Sequence, residues 1–269
     1  MARVIAIANQ KGGVGKTTTA VNLAASLAVA EQRVLLIDGD PQGNATSGVG
    51  LSKEDVGATT YDVLIGENTI AESIVREVQF KHLSVVPATP DLAGAEVELV
   101  DRAGREQMMR RAIASVRDQY DYILIDCPPS LGLITLNMLT AADALLIPLQ
   151  CEYYALEGIS QLLNTVHLVQ RSSNEALSID GVLLTMYDAR LNLSRQVATD
   201  AREYFGANVF EAVIPRNVRL AEAPSFGKPI ILYDVASIGA QAYMSVAREL
   251  LERHKRPISA AVAAATSGE

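Results

Sequence analysis

The sequence predicts a single α/β domain built on a mostly parallel, twisted β-sheet with helices on both of its faces. Runs of apolar and β-branched residues alternate along the chain with stretches of helical periodicity. These runs are continuous and do not alternate with polar residues, which indicates strands buried on both faces, as in parallel sheets. The 269 residues are 49% hydrophobic and 20% charged, a composition that can bury one large core.

The elements follow from these patterns in chain order. The first strand is predicted at Val4–Ala8, and a helix at Thr17–Ala30 follows it after a glycine-rich loop. Further strands are predicted at Arg33–Ile37, Leu83–Pro87, Tyr122–Ile125, Ala144–Leu149, Gly181–Met186 and Val209–Ile214. Further helices are predicted at Ala103–Gln119, Ile134–Ala141, Leu156–Arg171, Ser194–Phe205 and Ser237–His254.

Two segments stand apart from this alternation. Residues 42–77 are rich in Gly, Thr, Asn and acidic side chains and carry two short helical patterns, so we expect them to cap the sheet within the same domain. Residues 257–269 have no amphipathic pattern and no charge before Glu269. We therefore predict one domain over residues 1–256 and a flexible tail over residues 257–269.

Several classes of protein are disfavoured by composition. The chain has no signal-peptide pattern near its start and no apolar run close to the about 20 residues that cross a bilayer. We therefore expect a cytoplasmic protein. Cys127 and Cys151 are the only cysteines, and neither they nor the three histidines are spaced as metal ligands, so both thiols are predicted to be buried.

The loop after the first strand carries the strongest chemical signal. Residues 9–19 read Asn-Gln-Lys-Gly-Gly-Val-Gly-Lys-Thr-Thr-Thr, in which two lysines flank a glycine loop. Glycines at a strand-to-helix turn let backbone N–H groups close around a phosphate. Lys16 can reach the β- and γ-phosphates, and the Thr17 hydroxyl can ligate Mg²⁺. We predict that the nucleotide contacts Lys11, Gly12, Gly13, Val14, Gly15, Lys16, Thr17 and Thr18.

This loop departs from the ordinary P-loop, which would have its first glycine where Gln10 stands. It fits the deviant form Lys-Gly-Gly-x-Gly-Lys-Thr instead. The alternative is a purely structural glycine turn, and the Lys-Thr ending argues against that reading.

Acidic residues follow two of the other predicted strands. Asp38 and Asp40 end the second strand, and Asp126 ends the apolar run Tyr122–Ile125. Carboxylates at this edge of a parallel sheet can hold metal-bound water or align an attacking water. Asp126 has the form of a Walker B residue that holds Mg²⁺ through water. For Asp38 and Asp40, the alternative is a capping role for the next helix.

Together these residues resemble the ParA/MinD-type deviant Walker A ATPases, most closely the short chromosome-partition members of that family. The resemblance runs from Asn9 to about Pro229. Its motifs are Asn9-Gln-Lys-Gly-Gly-Val-Gly-Lys-Thr-Thr, Asp38-Gly-Asp-Pro-Gln-Gly-Asn-Ala-Thr, Ile125-Asp-Cys-Pro-Pro-Ser, Met186-Tyr-Asp-Ala-Arg and Ile214-Pro-Arg-Asn-Val-Arg-Leu-Ala-Glu-Ala-Pro-Ser-Phe-Gly-Lys-Pro.

The resemblance implies an ATPase that uses ATP and Mg²⁺ and forms a homodimer when ATP binds. Lys11 would reach the partner's nucleotide, and Gly12 would keep the two backbones close. Asp40 would position the hydrolytic water, which makes Lys11, Lys16 and Asp40 the candidate catalytic residues. The family match also places the adenine against Met186, Pro215 and Asn217.

The resemblance further implies that the ATP dimer binds double-stranded DNA without sequence preference and leaves it after hydrolysis stimulated by a ParB-type centromere-binding protein. The whole chain has a net charge of −8, but residues 181–257 hold ten Lys/Arg against eight Asp/Glu. The charge alone favours a solvated face, whereas the family match favours DNA contact. The predicted DNA-binding residues are Arg190, Arg216, Arg219 and Lys228, in a cytoplasmic, nucleoid-associated protein.

Departures from other relatives narrow the function. Residues 260–265 offer no basic amphipathic helix for a membrane, and the two cysteines are not obviously placed to hold an iron–sulfur cluster. The first strand is predicted close to Met1, so we expect no preceding helix-turn-helix for specific operators. The alternatives left open are a MinD-like ATPase that positions cargo or a site on a membrane or protein scaffold, and a non-enzymatic ATP-dependent switch. Chromosome and plasmid cargo are not distinguished.

Overall fold

Six strands form the centre of the computed structural model, which describes residues 1–152 and 157–255, without the side chains of residues 157 and 158. They are β1 (Arg3–Ile7), β2 (Val34–Asp38), β3 (Leu83–Val86), β4 (Tyr122–Asp126), β5 (Ala144–Gln150) and β6 (Ser178–Thr185). All neighbouring strands are parallel, in the order β3-β2-β4-β1-β5-β6. The predicted parallel α/β sheet is therefore confirmed.

Helices cover both faces of this sheet. They are α1 (Lys16–Val29), α2 (Asn44–Gly48), α3 (Thr60–Ile65), α4 (Ile70–Ser73), α5 (Ala95–Glu98), α6 (Met108–Ala114), α7 (Leu133–Ala141), α8 (Glu157–Ser172), α9 (Asn192–Phe205), α10 (Val218–Glu222), α11 (Ile230–Tyr233) and α12 (Ile238–Lys255). Leu156, where the helix observed as α8 was predicted to begin, and the predicted tail at 257–269 lie outside the described residues.

Successive side chains of each strand enter two different cores, as parallel strands buried on both faces require. Val4 and Ala6 of β1 belong to a core that includes residues of α3, α6, α7, α8 and α9. Ile5 and Ile7 pack instead with α1 and α12. The continuous apolar composition of the strands reflects this double burial.

The prediction of a strand at Val209–Ile214 is wrong. The backbone of this segment pairs with β6 only at an isolated bridge from Val209 to Val182 and at single hydrogen bonds. The amides of residues 211 and 212 donate instead to the carboxylate of Glu249, at 3.0 and 2.9 Å. A side chain of α12 thus replaces the neighbouring strand that a continuous ladder would need.

Smaller differences concern the helices. The predicted helix at Ala103–Gln119 is shortened to α6, with 3₁₀ turns at Arg105–Gln107 and Arg117–Gln119 on either side. Residues 42–77 form three short helices, α2 to α4, where two were predicted. Both cysteines are buried, as predicted. Within the described residues, no helix is both long and apolar enough to cross a membrane.

Candidate nucleotide site

The candidate site lies at the carboxyl ends of β1, β2 and β4. Ile7 at the end of β1 is the register partner of Asp126, and Asp126 is in turn the partner of Asp38 at the end of β2. The two aspartates are therefore adjacent on neighbouring strands, and both are fully buried. Ligands of open parallel sheets bind at this edge, so the topology brings the predicted acidic residues to the predicted loop.

The glycine loop connects β1 to α1 with a left-handed backbone at two positions. Gly13 and Gly15 have φ angles of 73° and 90°, a region that other residues rarely adopt. Helix α1 begins immediately afterwards at Lys16. The free N–H groups of its first turn and the positive end of its dipole therefore face the loop, as an anion site requires.

Two side-chain contacts fix this loop to the rest of the sheet. Asn9 donates from Nδ2 to the carbonyl of Pro148 at 2.8 Å, and its Oδ1 accepts from the Lys11 N–H at 3.0 Å. The Thr185 hydroxyl at the end of β6 donates to the carbonyl of Val14 at 2.8 Å. Sequence reasoning gave no role to Asn9 or Thr185. Asn9 opens the quoted motif, but no local signal points to Thr185.

Lys16 is a buried cation at the floor of the loop. Its side chain donates from Nζ to the carbonyl of Lys11 at 3.2 Å, and the residue is 7% exposed. Burial lowers the pKa of Lys16, and the negative charges of Asp126 and Asp40 oppose this effect. An ammonium held in this way is available to a phosphate oxygen, which suits the predicted role of Lys16.

Asp126 is a buried carboxylate with unused oxygens. Neither oxygen accepts a hydrogen bond of normal geometry from the described residues. Burial raises the pKa of Asp126 well above its ordinary range; nearby Asp38 adds to this effect, while the Thr17 hydroxyl partly offsets it. Buried polar atoms without partners are rare in folded proteins. Carboxylate and hydroxyl oxygens are ligands that Mg²⁺ prefers, so Thr17 and Asp126 fit the predicted metal site.

Asp38 and Asp40 have different surroundings. Asp38 accepts from the N–H and the hydroxyl of Thr46, both at 2.7 Å, and so holds α2 in place. Burial raises its pKa. Asp38 therefore binds the first turn of α2 from outside the helix, whose N-cap residue is Gly43.

Asp40 accepts from the Gln42 N–H through Oδ1 at 2.9 Å, which forms an Asx turn. It is 8% exposed, and its other oxygen accepts no hydrogen bond from the described residues. Asp40 is also close enough to Lys16 to influence its pKa. One oxygen therefore shapes the turn while the other remains free to hold a water.

The three residues predicted to hold the base lie around one cavity. This cavity has a volume of about 210 Å³ and extends from Gly15 and Thr18 of the loop to Met186, Pro215 and Asn217. Met186 has a φ angle of 50°, which is uncommon for a residue other than glycine. Ile214, Leu220 and Tyr243 also line the cavity, although none of them was predicted to contact the base. The structure thus brings the predicted base residues next to the phosphate loop.

Lys11 and Gly12 lie on the outer side of the loop. The Lys11 ammonium is 3.4 Å from Oε2 of Glu152, and Oε1 of the same carboxylate is 3.8 Å from the Arg216 guanidinium. Among the described residues, no heavy atom lies within 4 Å of the position that a Cβ at Gly12 would occupy. Packing within this part of the chain therefore gives no reason for a glycine at position 12.

The four predicted DNA-binding residues are exposed on the segment between β6 and α12. Three of them pair with carboxylates of the same chain: Arg190 with Asp188, Arg216 with Glu152, and Arg219 with Glu222 and Asp234. Lys228 lines a second cavity of about 250 Å³, together with Thr17 and Thr18 of α1 and Asn44 of α2. Arg216 thus lies at the base cavity and Lys228 at the cavity beside α1.

The glycine loop, its lysine and threonine, and the acidic residues at the strand ends together define a P-loop nucleoside-triphosphate-binding protein. A family model described as an AAA domain matches residues 2–179. The sporulation initiation inhibitor protein Soj of Bacillus subtilis is 58% identical over 250 residues, which cover 93% of this chain and 98% of that protein. The chromosome partitioning protein ParA of Myxococcus xanthus is 57% identical over 251 residues, covering 93% of this chain and 88% of that protein.

The solved structures agree with this assignment. A Mycobacterium smegmatis protein described as cobyrinic acid a,c-diamide synthase, with bound ADP and magnesium, has a TM-score of 0.83 and 40% identity, covering 95% of this chain and 96% of that chain. A second structure of that protein holds an ATP analog and magnesium. This chain belongs to the ParA/MinD-type family of ATPases, which confirms the resemblance seen in its motifs. It is an ATPase, and its cofactors are ATP and Mg²⁺. The roles of individual site residues stay predictions.

Proposed function

We propose that the protein is a DNA-partition ATPase that works as an ATP-dependent dimer. ATP pairs two copies, the pair binds double-stranded DNA without sequence preference, and hydrolysis stimulated by a ParB-type DNA-bound protein releases it. The name of the M. xanthus relative, a chromosome partitioning protein, supports a role in partition. One observation carries the proposal. Residues 215–217 line the base cavity and lead directly into residues 216–228, here called the basic segment, which contain Arg216, Arg219 and Lys228.

The dimer step is supported by the outer side of the loop. Lys16 already supplies a cation to the phosphates, whereas the Lys11 ammonium pairs with Glu152 outside the loop. The open space beside Gly12 lets a second backbone approach closely. A partner nucleotide offers Lys11 a phosphate, which forms a stronger charge-assisted contact than a half-exposed carboxylate.

The chemical step is supported by the buried charges. Mg²⁺, when bound, supplies neutralisation of the phosphate charge, and Thr17 and Asp126 are the residues that would hold it. Lys16 places its ammonium where negative charge develops on the transferred phosphoryl group. Asp40 keeps one oxygen in the turn and has a second with which to orient the attacking water.

The DNA step is supported by the location of the arginines. Each basic residue makes only a weak phosphate contact, but a dimer presents every one of them twice. Phosphate contacts add in log affinity, so pairing two chains converts weak contacts into usable binding. We propose on this basis that the protein is cytoplasmic and associated with the nucleoid.

Fluorescence anisotropy with unrelated labelled duplexes tests this function. We expect tight binding with Mg-ATP and weak binding with Mg-ADP, equal for different sequences and steeply dependent on salt. Each Arg190→Ala or Arg219→Ala change should lower the slope of log affinity against log salt by about two, because each dimer loses two contacts.

Arg76→Ala is the matched control, since Arg76 is also exposed but lies outside the basic segment. Equal affinity with ADP and ATP would contradict the proposal. Full binding by an Arg190→Glu/Arg219→Glu variant would contradict it as well and would favour a protein scaffold or membrane as the surface on which the ATPase acts.

A further inference from the structure

The basic segment is attached to the nucleotide site at a first point on α1. The Asn22 side chain donates from Nδ2 to the carbonyl of Thr18 at 2.7 Å and accepts from the Ile230 N–H through Oδ1 at 2.7 Å. Both bonds involve buried or partly buried groups. One amide therefore joins the first turn of α1 to the chain immediately after Lys228.

A second attachment is a crossing of two glycines. Gly50 and Gly227 have φ angles of 85° and 59°. A Cβ on Gly227 would lie 2.9 Å from the Cα of Gly50, and a Cβ on Gly50 would lie 2.8 Å from the carbonyl oxygen of Gly227. Because real Cβ atoms do not approach other atoms so closely, only glycines allow the two backbones to touch here.

Gln79 locks this crossing. Its Nε2 donates to the carbonyl of Val49 at 2.5 Å and to the carbonyl of Gly227 at 2.6 Å. Gln79 itself has a φ angle of 58°, which is uncommon for a residue other than glycine. The amide group of Gln79 thus bonds to both of the backbone segments that cross here, with one N–H directed to each carbonyl.

The crossing lies at the far end of the segment that begins with the acidic residues. Asp38 fixes α2 through Thr46, and the helix is only five residues long, with left-handed glycines at positions 43 and 50 on either side. Helix α2 also packs against the 3₁₀ turn Ala223–Phe226. This short helix therefore connects the Asp40 turn to Gly50.

The cavity lined by Lys228 leaves room between α1, α2 and the basic segment. Its volume is about 250 Å³, and its lining includes Asn22 and Gly48 on one side and Ala223 and Pro224 on the other. Packed elements respond to small shifts as units, so a shift at α2 would move the segment as a whole.

We propose that the Gly50–Gly227 crossing, locked by Gln79, transmits the nucleotide state from the Asp40 segment to residues 216–228. Gln79 is then a positioning residue, which sets where the basic segment lies without touching nucleotide or DNA. This inference rests on the proposed function for its consequence, because the segment it positions carries three of the predicted DNA-binding residues.

Gln79→Gly tests the inference because glycine accepts the left-handed backbone while the bridging amide is lost. We expect ATP affinity and ATP-dependent dimers close to those of the wild type, and a ratio of DNA affinity with ATP to that with ADP that falls by about fivefold or more. Glu77→Gly is the matched control, since Glu77 is exposed in the same loop with a φ angle of 56°. Gln79→Asn is the second variant, because asparagine tolerates this backbone but is too short to make both bonds.

Hydrogen exchange of peptides covering residues 216–230 gives a readout that needs no DNA. The wild type and Glu77→Gly should show a difference between the ATP and ADP states, and both Gln79 variants should lose most of it. An equal ATP–ADP difference in all four proteins would overturn the inference, as would no difference in the wild type. If the wild type shows the exchange difference but binds no DNA, the proposed function fails while the coupling stands.

Discussion

The two ends of the nucleotide site are built in different ways. At the phosphate end, strand register places Asp38 beside Asp126, and Lys16 is buried next to them. At the base end, residues 209–230 form no regular strand, and Arg216 and Arg219 there are exposed and paired with carboxylates. The phosphate end is thus fixed by the core, whereas the base end is a surface segment held at a few points.

This difference determines how strongly each end responds to substitution. Charges in a buried environment interact strongly with one another and with a bound ion, because little water screens them. Charges on the exposed segment are screened within about 8–10 Å at ordinary ionic strength. Single changes at the phosphate end should therefore alter chemistry by orders of magnitude, and those at the base end should alter affinity by small, salt-dependent factors.

The largest effect is expected on the rate of ATP hydrolysis, from Asp40→Asn. Asparagine keeps the acceptor for the Gln42 N–H, so the turn and ATP binding should be retained. Loss of the carboxylate that orients water should reduce hydrolysis by about 10²-fold or more. Phosphate release and ATP titration measure the two properties, with exposed Asp91→Asn as the control. A wild-type rate would assign Asp40 to the turn alone.

The next largest effect is expected on dimerisation, and it distinguishes two glycines of the same loop. A Cβ at position 12 would lie within 4 Å of no other part of the described chain, whereas Gly15 has a φ angle of 90° and lies beside Thr185. Gly12→Val should therefore bind ATP but weaken the ATP dimer at least about fivefold, since overpacking an interface costs about 1–3 kcal/mol. Gly15→Val should lose ATP binding itself. Sedimentation of both variants with ATP measures this, and a normal dimer of Gly12→Val would contradict the predicted interface.

The phosphate end was largely predictable because phosphate chemistry requires particular residues close together in the sequence. The glycine loop joins β1 to α1 as predicted, with Lys16, Thr17 and Thr18 in the first turn of α1, and Asp126 ends β4 at the same edge of the sheet. The contacts that hold this loop were not predictable. Asn9 reaches Pro148 and Thr185 reaches Val14 across more than a hundred residues of sequence, and no local pattern encodes such pairs.

The base end was predictable only in part. The family motif pointed to Met186, Pro215 and Asn217, which lie around one cavity. The apolar composition of Val209–Ile214 predicted a strand, but hydrophobic periodicity cannot foresee that Glu249 takes two of its amides. The bridge made by Gln79 also joins distant segments. Sequence patterns report local chemistry, and contacts between distant segments depend on the completed fold.

A moderate effect on the stability of the folded chain is expected from Asp126→Asn when nucleotide and Mg²⁺ are absent. The raised pKa of Asp126 means that the folded state binds a proton more readily than the unfolded state, so stability falls as pH rises from the unfolded pKa toward the folded one. Removing this buried charge should stabilise the ligand-free chain by about 1 kcal/mol or more, or about 2–4 °C in Tm.

Thermal unfolding between pH 6 and 8 without Mg²⁺ measures this change. The wild type should lose stability as pH rises through this range, and Asp126→Asn should lose less; Asp38, whose pKa burial raises to about 6, adds to the slope only near the lower end of the range. Added Mg-ATP should reverse the order of the two proteins, since the variant lacks the predicted metal ligand. A less stable Asp126→Asn chain without ligand would show that the carboxylate has a structural role.

The smallest effect is expected at the exposed end, from Asp188→Asn. Arg190 is exposed, and its guanidinium donates to both oxygens of Asp188, at 2.9 and 2.7 Å. Hydrogen bonds from Arg190 lower the pKa of Asp188 to about 2, so the pair stays charged across the working pH range. Asparagine keeps an acceptor for the Arg190 N–H and removes the competing negative charge. Affinity of the ATP dimer for DNA should then rise about twofold to fivefold at low salt and return to the wild-type value at high salt.

Anisotropy across several salt concentrations measures this gain, with Asp200→Asn on α9 as the control for lost negative charge elsewhere. Combining Asp188→Asn with Arg190→Ala should remove the gain, because the gain depends on the released guanidinium. If Asp188→Asn weakened DNA binding instead, the carboxylate would be orienting Arg190 toward DNA. The Asp188–Arg190 pair would then have a fixed geometry, as the residues of the phosphate end do, and the difference between the two ends would not apply to this pair.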